Sequence, residues 1–485
     1  MESFANTAGS ASAPPKERPR PHVVLLPSPG AGHLIPMAEL ARRLVELHGF
    51  AATIVTFTNL SGPGDAHQLP PCLHASVAVA ALPAVQMDDV HDGRVLAELV
   101  RRSLPNIRAL LRSINCTTLL AAVVPDFLCS MALPVTAELG VPGYLFFPSN
   151  LAMVALTRHI VELHEGAAPG DYRDVAVPLE LPGGVSLCSA DIPDAFRGSF
   201  AKLVELVRSY RLADGMLVNT FYDMEPATAE AFERLAAEQA AGTSAFSYPP
   251  VFPVGPFVRP TDPDEAAAGA STPCLEWLDR QPVGSVVYVA FGSGGALSVE
   301  QTAELAAGLE ASGQRFLWVV RMPSTDGGSN EDDPLAWLPE GFLERTSGRG
   351  LAVAAWAPQV RVLSHPATAV FVSHCGWNST LESVGCGVPM LAWPLYAEQR
   401  MNAVILEEKL GVALRVAPAV GGLVTRHEIA KAAKEVVEGD QKLRRRAEDL
   451  QKAAARAWSP EGPSRRALEE VAVKWKAALG RESNT

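Results

Sequence analysis

The sequence predicts an α/β protein built from two doubly wound parallel-sheet domains. Short apolar, β-branched segments alternate with helical stretches through both halves of the chain, which is the order typical of parallel sheets covered by helices. Between residues 249 and 273 the composition changes to Pro, Asp, Ala and Gly, which indicates an exposed linker. With 485 residues, of which 48% are hydrophobic, the chain can form two or three domains with substantial cores.

Five segments are expected along the chain. Residues 1–20 are rich in Ser, Ala, Pro and charge without a hydrophobic segment, which predicts a disordered tail and not a signal peptide. One domain is expected over residues 21–250 and a linker over residues 251–273. The second domain is expected over residues 274–462, and a C-terminal helical segment over residues 463–485.

Charge, cysteine usage and hydropathy argue against several classes of protein. The net charge of -12 is spread along the chain, and the short basic cluster at residues 442–446 fits a solvated helix face, so no nucleic-acid partner is expected. The seven cysteines show no Cys-x-x-Cys pair and no metal-like spacing, which predicts reduced thiols in a cytoplasmic protein. No apolar run reaches the roughly 18 residues of a membrane span, so no membrane insertion is expected. A monomer is expected.

The first element that points to chemistry is a strand followed by a Gly-rich turn. Residues 22–26 are apolar and typical of a buried parallel strand, and a helix is predicted from about residue 35 to residue 47. Ligands of α/β sheets bind at such strand ends, but Gly30 and Gly32 lack the third glycine of a dinucleotide fingerprint, so no NAD site is predicted. His33 follows them. Its imidazole can take a proton from a hydroxyl near neutral pH, or it can be structural.

Asp126 is the candidate partner of His33. It follows the apolar residues 119–125, so it is expected at the C-terminal end of a strand, the edge that lines the cleft of a doubly wound sheet. A base that becomes positively charged needs an anion to orient and stabilise it, as in the serine hydrolase triad. The alternative is an ordinary turn or N-cap aspartate before the helix around residues 133–139.

A second Gly-rich turn follows the expected linker. Residues 285–291 predict a strand, and a helix is expected to begin near Ser298. Between them lies Ser293, in a turn whose backbone amides can cradle a phosphate. The alternative is a tight turn without a ligand.

A third strand leads into a polar turn. Residues 369–373 are apolar, and His374 and Gly376 then precede a predicted helix. The first N–H groups of a helix and its dipole favour an anion. The alternative is that Asn378 or Ser379 is an N-cap, with Ser379 and Glu382 as a capping box.

The segment from Trp356 to Gln399 closely resembles the C-terminal box of plant family 1 UDP-dependent glycosyltransferases. Its Trp-x-Pro-Gln opening, His-Cys-Gly-Trp-Asn-Ser centre and Glu-Gln close are all present, and the resemblance extends from His22 to about Trp475. It implies UDP-glucose as the donor substrate and no requirement for a metal. The implied donor contacts are Trp356 and Gln359 at uracil and ribose, Glu382 at the ribose hydroxyls, Ser293, His374, Asn378 and Ser379 at the diphosphate, Trp377, Glu398 and Gln399 at the sugar, and Ala357 as a further contact.

The same resemblance implies the GT-B fold, in which two Rossmann-like domains face each other across the active site. The N-terminal domain would supply the acceptor pocket, with His33 as general base and Asp126 as its partner. Attack of the acceptor on the anomeric carbon would displace UDP with inversion and give a β-glucoside. The C-terminal helix would cross back onto the N-terminal domain.

For the acceptor, only the chemical class can be predicted. Segments 87–91, 146–150 and 191–196, which line the pocket in the family, combine apolar, aromatic and a few polar residues, and this suits a flat phenolic. The chain looks most similar to the branch of plant secondary metabolism that glucosylates hydroquinone, simple phenols and monolignols; flavonoids are also considered. Residues 126–131 depart from that branch. A C-glucosyltransferase acting on an activated aromatic carbon and a non-catalytic UDP-sugar-binding protein are the alternatives.

Overall fold

The computed structural model describes residues 20–60, 76–87, 95–165, 177–196, 200–243, 247–258, 273–323, 333–416, 422–439 and 441–482. Most of the predicted N-terminal tail, residues 1–19, lies outside these ranges. Among the helices within them, none is long and apolar enough to cross a membrane.

A parallel sheet organises the first half of the chain. The strands are β1 (Pro21–Leu26), β2 (Ala51–Phe57), β3 (Val77–Leu82), β4 (Leu119–Pro125), β5 (Tyr144–Phe147), β6 (Leu179–Leu181), β7 (Val185–Leu187), β8 (Gly215–Val218) and β9 (Val251–Pro253). They run in the orders β3-β2-β1-β4 and β5-β8-β9, and bridges from Val123 to Gly143 and from Asp126 to Phe146 join the two sets. Only the short pair β6-β7 is antiparallel among the described strands.

Helices cover both faces of this sheet. They are α1 (Ala31–His48), α2 (Val95–Thr117), α3 (Leu133–Glu138), α4 (Leu151–Leu163), α5 (Phe200–Ser209) and α6 (Pro226–Ala240). In β1, Val23 and Leu25 pack into one core, whereas Val24 and Leu26 pack into another. Because successive side chains of a strand point to opposite faces, a continuous apolar run is what a sheet covered on both faces requires.

The second half repeats this architecture. Its strands are β10 (Val286–Ala290), β11 (Arg315–Val320), β12 (Gly350–Ala354), β13 (Thr368–Ser373), β14 (Met390–Ala392) and β15 (Ala413–Arg415), in the parallel order β12-β11-β10-β13-β14-β15. The helices are α7 (Pro273–Asp279), α8 (Val299–Ser312), α9 (Phe342–Thr346), α10 (Gln359–Leu363), α11 (Trp377–Cys386), α12 (Gln399–Val404), α13 (Arg426–Lys434), α14 (Gln441–Ala457) and α15 (Pro463–Glu482). The predicted α/β fold of two parallel-sheet domains is confirmed.

Both sheets change winding direction at one place. The chain proceeds from β1 through β2 to β3 and then returns to add β4 beside β1, and it likewise adds β13 beside β10 after completing β12. Ligands of open α/β sheets bind at the carboxyl ends of the strands that flank such a switch point. The fold therefore places the candidate ligand site at the residues that follow β1, β4, β10 and β13.

Residues at both ends of the expected linker belong to secondary-structure elements. The linker was expected to begin at residue 251, but β9 pairs there with β8, from Met216 beside Val251 to Val218 beside Pro253. Phe252 is buried in the core of the first domain, and this burial outweighs the flanking prolines that suggested a linker. Residues 259–272 lie outside the described ranges, and α7 begins at the last position of the expected linker.

The helix α1 begins earlier than predicted. It starts at Ala31 after the N-cap Gly30, whose φ of 114° is open to glycine but rarely to other residues. His33 therefore lies in the first helical turn and not in a loop before the helix.

The last helix packs against the first domain. Leu468, Val471 and Trp475 of α15 belong to the same hydrophobic core as β1 and α1. The Trp475 ring lies edge-on to Phe50 at 6.0 Å and to Tyr144 at 5.2 Å.

Candidate active site

The carboxyl ends of the two sheets face a common cleft with a volume of about 1030 Å³. Asp126 lies behind its wall and is 0% exposed. Every other residue predicted for the site lines the cleft: His33, Ser293, Trp356, Ala357, Gln359, His374, Trp377, Asn378, Ser379, Glu382, Glu398 and Gln399.

His33 and Asp126 form a hydrogen-bonded pair on the first domain's side. His33 Nδ1 lies 2.7 Å from Asp126 Oδ2. Since a carboxylate can only accept, Nδ1 carries the hydrogen and Nε2 keeps its lone pair. The other carboxylate oxygen accepts from Ser28 Oγ at 3.1 Å and from the Leu128 backbone N–H at 2.9 Å. Asp126 thus caps the turn after β4, as the alternative interpretation proposed, and also contacts His33.

The charge around His33 favours its protonated form. Burial alone lowers the pKa of His33, but the attraction and hydrogen bond of Asp126, together with the charge of Glu398, outweigh burial and raise this pKa above the ordinary value. The side chain keeps 24% exposure toward the cleft. In its neutral form, His33 can accept a proton at Nε2 from a molecule bound there.

A side chain of the second domain contacts the turn that carries His33. Asn378 Nδ2 donates to the Gly32 carbonyl at 2.9 Å. In a regular helix that carbonyl would accept from the residue four positions later, but this residue is Pro36, which has no N–H. Pro36 thereby leaves the Gly32 carbonyl available to the second domain.

Glycines shape the turn predicted to bind the diphosphate. A Cβ at Gly292 would lie 2.6 Å from the imidazole of His374, and one at Gly376 would also overlap the ring, so only glycines admit His374 between the two backbones. Burial lowers the pKa of His374 to about 4, which keeps the ring neutral at pH 7. Its Nδ1 is buried without a hydrogen-bond partner among the described residues. Such atoms are rare, and a phosphate oxygen would satisfy this one.

The start of α11 faces the cleft without a side-chain cap from the described residues. Its N-cap is Gly376, so the capping-box interpretation of Ser379 and Glu382 is wrong. Ser379 Oγ instead accepts from Gln359 Nε2 at 2.9 Å. The first amides of this ten-residue helix remain able to bind an anion.

Trp356, Gln359 and Glu382 form one end of the cleft. Trp356 is 59% exposed, and it follows Ala355, whose φ of 61° is unusual for a residue with a Cβ. Gln359 Nε2 donates to Glu382 Oε2 at 2.6 Å. An exposed indole face beside a carboxylate and an amide is suited to a base and a ribose.

The residues predicted to bind the sugar differ in which of their polar groups remain available to a ligand. Trp377 is 2% exposed and donates its indole N–H to the Asn219 carbonyl at 2.7 Å, so this group is engaged within the protein. Gln399 Oε1 accepts from the backbone of Leu395 and Tyr396, which leaves the amide N–H₂ for a ligand. Burial raises the pKa of Glu398, although the nearby His33 opposes this effect.

The predicted acceptor segments are only partly in the cleft. Pro148 and Ser149 line it together with Phe127, Leu128 and Met153, whereas Met87 does not; residues 88–91 lie outside the described ranges. Residues 191–196 also lie away from its wall. The carboxylates of Asp191 and Asp194 are instead 2.9 and 2.8 Å from Arg415 and Arg400 of the second domain.

Sequence reasoning missed Ser28 and Tyr396. Ser28 follows β1 closely, at the carboxyl end of the sheet, and this position was the available signal. The Tyr396 hydroxyl lies over the Gly-rich turn, since a Cβ at Gly294 would be 2.7 Å from it. No local pattern predicts that contact. Among the described residues, no three His, Cys, Asp or Glu side chains are grouped as a metal site would require.

Comparison with known proteins agrees with this geometry. The family model for UDP-glucoronosyl and UDP-glucosyl transferases matches residues 242–446. The chain is 43% identical over 473 residues to the hydroquinone glucosyltransferase of Rauvolfia serpentina, covering 94% of this chain and 98% of that one.

Two solved structures are similar over almost the whole chain. UGT2 of Phytolacca americana, complexed with UDP-2-fluoro-glucose and pterostilbene, is 40% identical with a TM-score of 0.82, over 95% of this chain and 100% of that one. A Polygonum tinctorium UDP-glucosyltransferase that can glucosylate indoxyl, in complex with 3,4-dichloroaniline, is 39% identical with a TM-score of 0.84 at the same coverage. Taken with the facing sheets and the cleft between them, these similarities show that the chain is a GT-B glycosyltransferase and belongs to plant family 1 of the UDP-dependent glycosyltransferases.

Proposed function

We propose that this enzyme transfers glucose from UDP-glucose to a hydroxyl of a small phenolic acceptor with inversion, giving a β-O-glucoside. The observation that carries the proposal is the 2.7 Å contact of Asp126 with His33, which lines the same cleft as the donor box. The pair supplies a base on the acceptor side. The donor box supplies anion and nucleoside contacts on the other side.

The reaction is a single displacement. His33 Nε2 takes the proton of the acceptor hydroxyl as its oxygen forms a bond to the anomeric carbon and the bond from that carbon to the diphosphate oxygen breaks. Asp126 keeps the His33 tautomer fixed and stabilises the imidazolium that forms. The bonding electron pair leaves with UDP.

The leaving diphosphate gains negative charge, and the protein offers polar groups to it. His374 Nδ1, the amides at the start of α11 and the turn around Ser293 are the proposed partners. Trp356 would stack on uracil, Gln359 and Glu382 would contact the ribose, and Glu398 with Gln399 would contact the glucose. We expect transfer to persist in EDTA.

Phenolics are the proposed acceptors for two reasons. The acceptor side of the cleft contains Phe127, Leu128, Pro148 and Met153, an apolar surface suited to a flat ring. The similar proteins include a hydroquinone glucosyltransferase and a structure with bound pterostilbene.

The test is incubation of the purified protein with UDP-glucose and a panel of hydroquinone, simple phenols, monolignols and flavonoids. We expect acceptor-dependent UDP release that matches the appearance of an acid-labile hexose adduct. An acid-resistant adduct would indicate transfer to carbon. UDP binding without product from any acceptor would contradict the proposed activity.

A further inference from the structure

Two asparagines of opposite domains form a buried connection beneath the cleft. Asn150 Nδ2 donates to Asn402 Oδ1 at 2.6 Å, and Asn402 Nδ2 donates to the Cys375 carbonyl at 2.9 Å. Asn150, Asn402 and Cys375 are each 0% exposed. We call this chain of two hydrogen bonds the asparagine relay.

The relay ends at the turn between His374 and Gly376. Cys375 has a φ of 64°, a conformation that costs about 1 kcal/mol for a residue with a Cβ and persists only when its surroundings hold it. The bond from Asn402 fixes the carbonyl of this residue. Because the carbonyl of Cys375 and the N–H of Gly376 belong to one planar peptide, the bond that fixes the carbonyl also fixes the direction of this N–H.

The relay begins at the acceptor side of the cleft. Asn150 follows Pro148 and Ser149, which line the cleft, and its Oδ1 accepts from the Met153 N–H at 2.8 Å as the N-cap of α4. One asparagine therefore anchors a helix of the first domain and also contacts the second domain. Both groups of its amide are used, so neither can move without losing a buried hydrogen bond.

We propose that Asn150 and Asn402 are positioning residues that hold the 374–376 turn in the form that binds the donor diphosphate. The proposal rests on the donor-binding role given to this turn under the proposed function. It predicts a loss confined to ligands with a diphosphate, because the hydrogen bonds of the relay end at the Cys375 carbonyl and not at Trp356 or Gln359, which the proposed function assigns to the nucleoside.

The test uses Asn150→Asp and compares UDP with uridine. An aspartate has the size of asparagine and keeps the acceptor for the Met153 N–H, so α4 keeps its cap. It has no N–H₂ to donate to Asn402. If the Asn402 amide reverses to compensate, its oxygen faces the Cys375 carbonyl, so the relay is broken at one end or the other.

The matched control is Arg400→Gln. It removes another contact between the domains made from the same helix α12, the ion pair from Arg400 to Asp194 at 2.8 Å, without touching Cys375. A second relay variant, Asn402→Leu, removes both bonds at once; Asn150→Asp remains informative if that variant folds poorly. Dissociation constants for UDP come from titration calorimetry, those for uridine from ligand-observed NMR, and thermal unfolding reports on folding.

We expect Asn150→Asp to weaken UDP binding about tenfold and to leave uridine binding unchanged, with both unchanged in Arg400→Gln. Parallel weakening of UDP and uridine would mean general loosening of the interface and would overturn the relay. Unchanged UDP binding in Asn150→Asp would also overturn it. So would unchanged UDP binding in Asn402→Leu, which breaks the relay without adding a negative charge that could itself repel the diphosphate. If UDP does not bind the unmodified enzyme, the proposed function itself fails.

Discussion

At the scale of single residues, the proposed chemistry depends on the protonation state of His33. The imidazole must be neutral to accept a proton, yet Asp126 and Glu398 favour its charged form. The same attraction stabilises the imidazolium that forms as the acceptor loses its proton. Asp126 therefore lowers the barrier while it raises the pH needed for activity.

Replacing His33 with alanine removes the base and leaves the donor box intact. We expect acceptor-dependent transfer to fall about 10²–10⁴-fold, the usual contribution of a general base, with the UDP dissociation constant unchanged within about twofold. UDP release and calorimetry measure the two quantities. Full transfer by this variant would exclude His33 as the base.

Replacing Asp126 with asparagine should change the pH profile as well as the rate. In the native enzyme, kcat/KM for the acceptor should rise with pH and level off above the His33 pKa, because the neutral ring is the active form. Asparagine removes the carboxylate's attraction and leaves burial, the largest single effect, which lowers this pKa against only the charge of Glu398. The acidic limb should therefore move to lower pH while the plateau falls.

A pH–rate profile of both proteins measures this shift, and an unmoved limb would mean that another group titrates.

The His33–Asp126 pair also affects the stability of the folded state. Because the folded-state pKa of His33 is raised, the ion pair stabilises the folded state below the ordinary histidine pKa, and this contribution is lost as the pH rises through the folded value.

At the scale of elements, the donor site consists of a turn after β10 facing a turn after β13. Glycine is required at Gly292 both for its φ of 75° and for the space taken by the His374 ring. These two requirements can be separated, because Gly313, after α8, has a φ of 68° and a Cβ added there would meet no other atom within 4 Å.

We expect Gly313→Ala to lower the free energy of unfolding by about 1 kcal/mol, since it places a Cβ in the left-handed region. Gly292→Ala should lower it by more, because its Cβ would also overlap the buried His374 ring. Only Gly292→Ala should weaken UDP binding, by at least about tenfold, because it displaces His374. Chemical denaturation and calorimetry provide the measurements. Equal UDP affinity in the two variants would show that the position of His374 is unimportant for the donor.

At the scale of the whole molecule, α15 joins the end of the chain to the first domain. Trp475 is 0% exposed between Phe50 and Tyr144, whereas Val473 on the same helix is 60% exposed. The helix packs on the domain that carries His33 and Asp126. Its contribution is to stability and not to the cleft wall.

Trp475→Ala should destabilise the protein by about 3–5 kcal/mol, the usual cost of removing a large buried aromatic side chain, whereas Val473→Ala should change the free energy of unfolding by less than about 0.5 kcal/mol. Both should bind UDP normally at temperatures where they are folded. Thermal and chemical denaturation test the difference. Similar stability of the two variants would contradict the packing described for α15.

The sequence alone was sufficient to predict the alternating α/β fold, the strand ends and the donor box, because these depend on local periodicity and on a contiguous motif. The burial of β1 can be predicted from its continuous apolar run. The segment from Trp356 to Gln399 likewise contains, within itself, the glycine that its turn requires. The strand at residues 251–253 was not predicted, because burial of Phe252 depends on a distant core.

Only the tertiary structure decided which hydrogen-bond partners are formed by side chains that are far apart in the sequence. The 2.7 Å contact of His33 with Asp126, the bond from Asn378 to the Gly32 carbonyl and the asparagine relay each join positions far apart in the chain. The same holds for Trp377, whose indole is engaged by Asn219. Sequence periodicity determines which face of an element is buried, whereas the partner of a buried polar group is determined by the packing of one domain against the other.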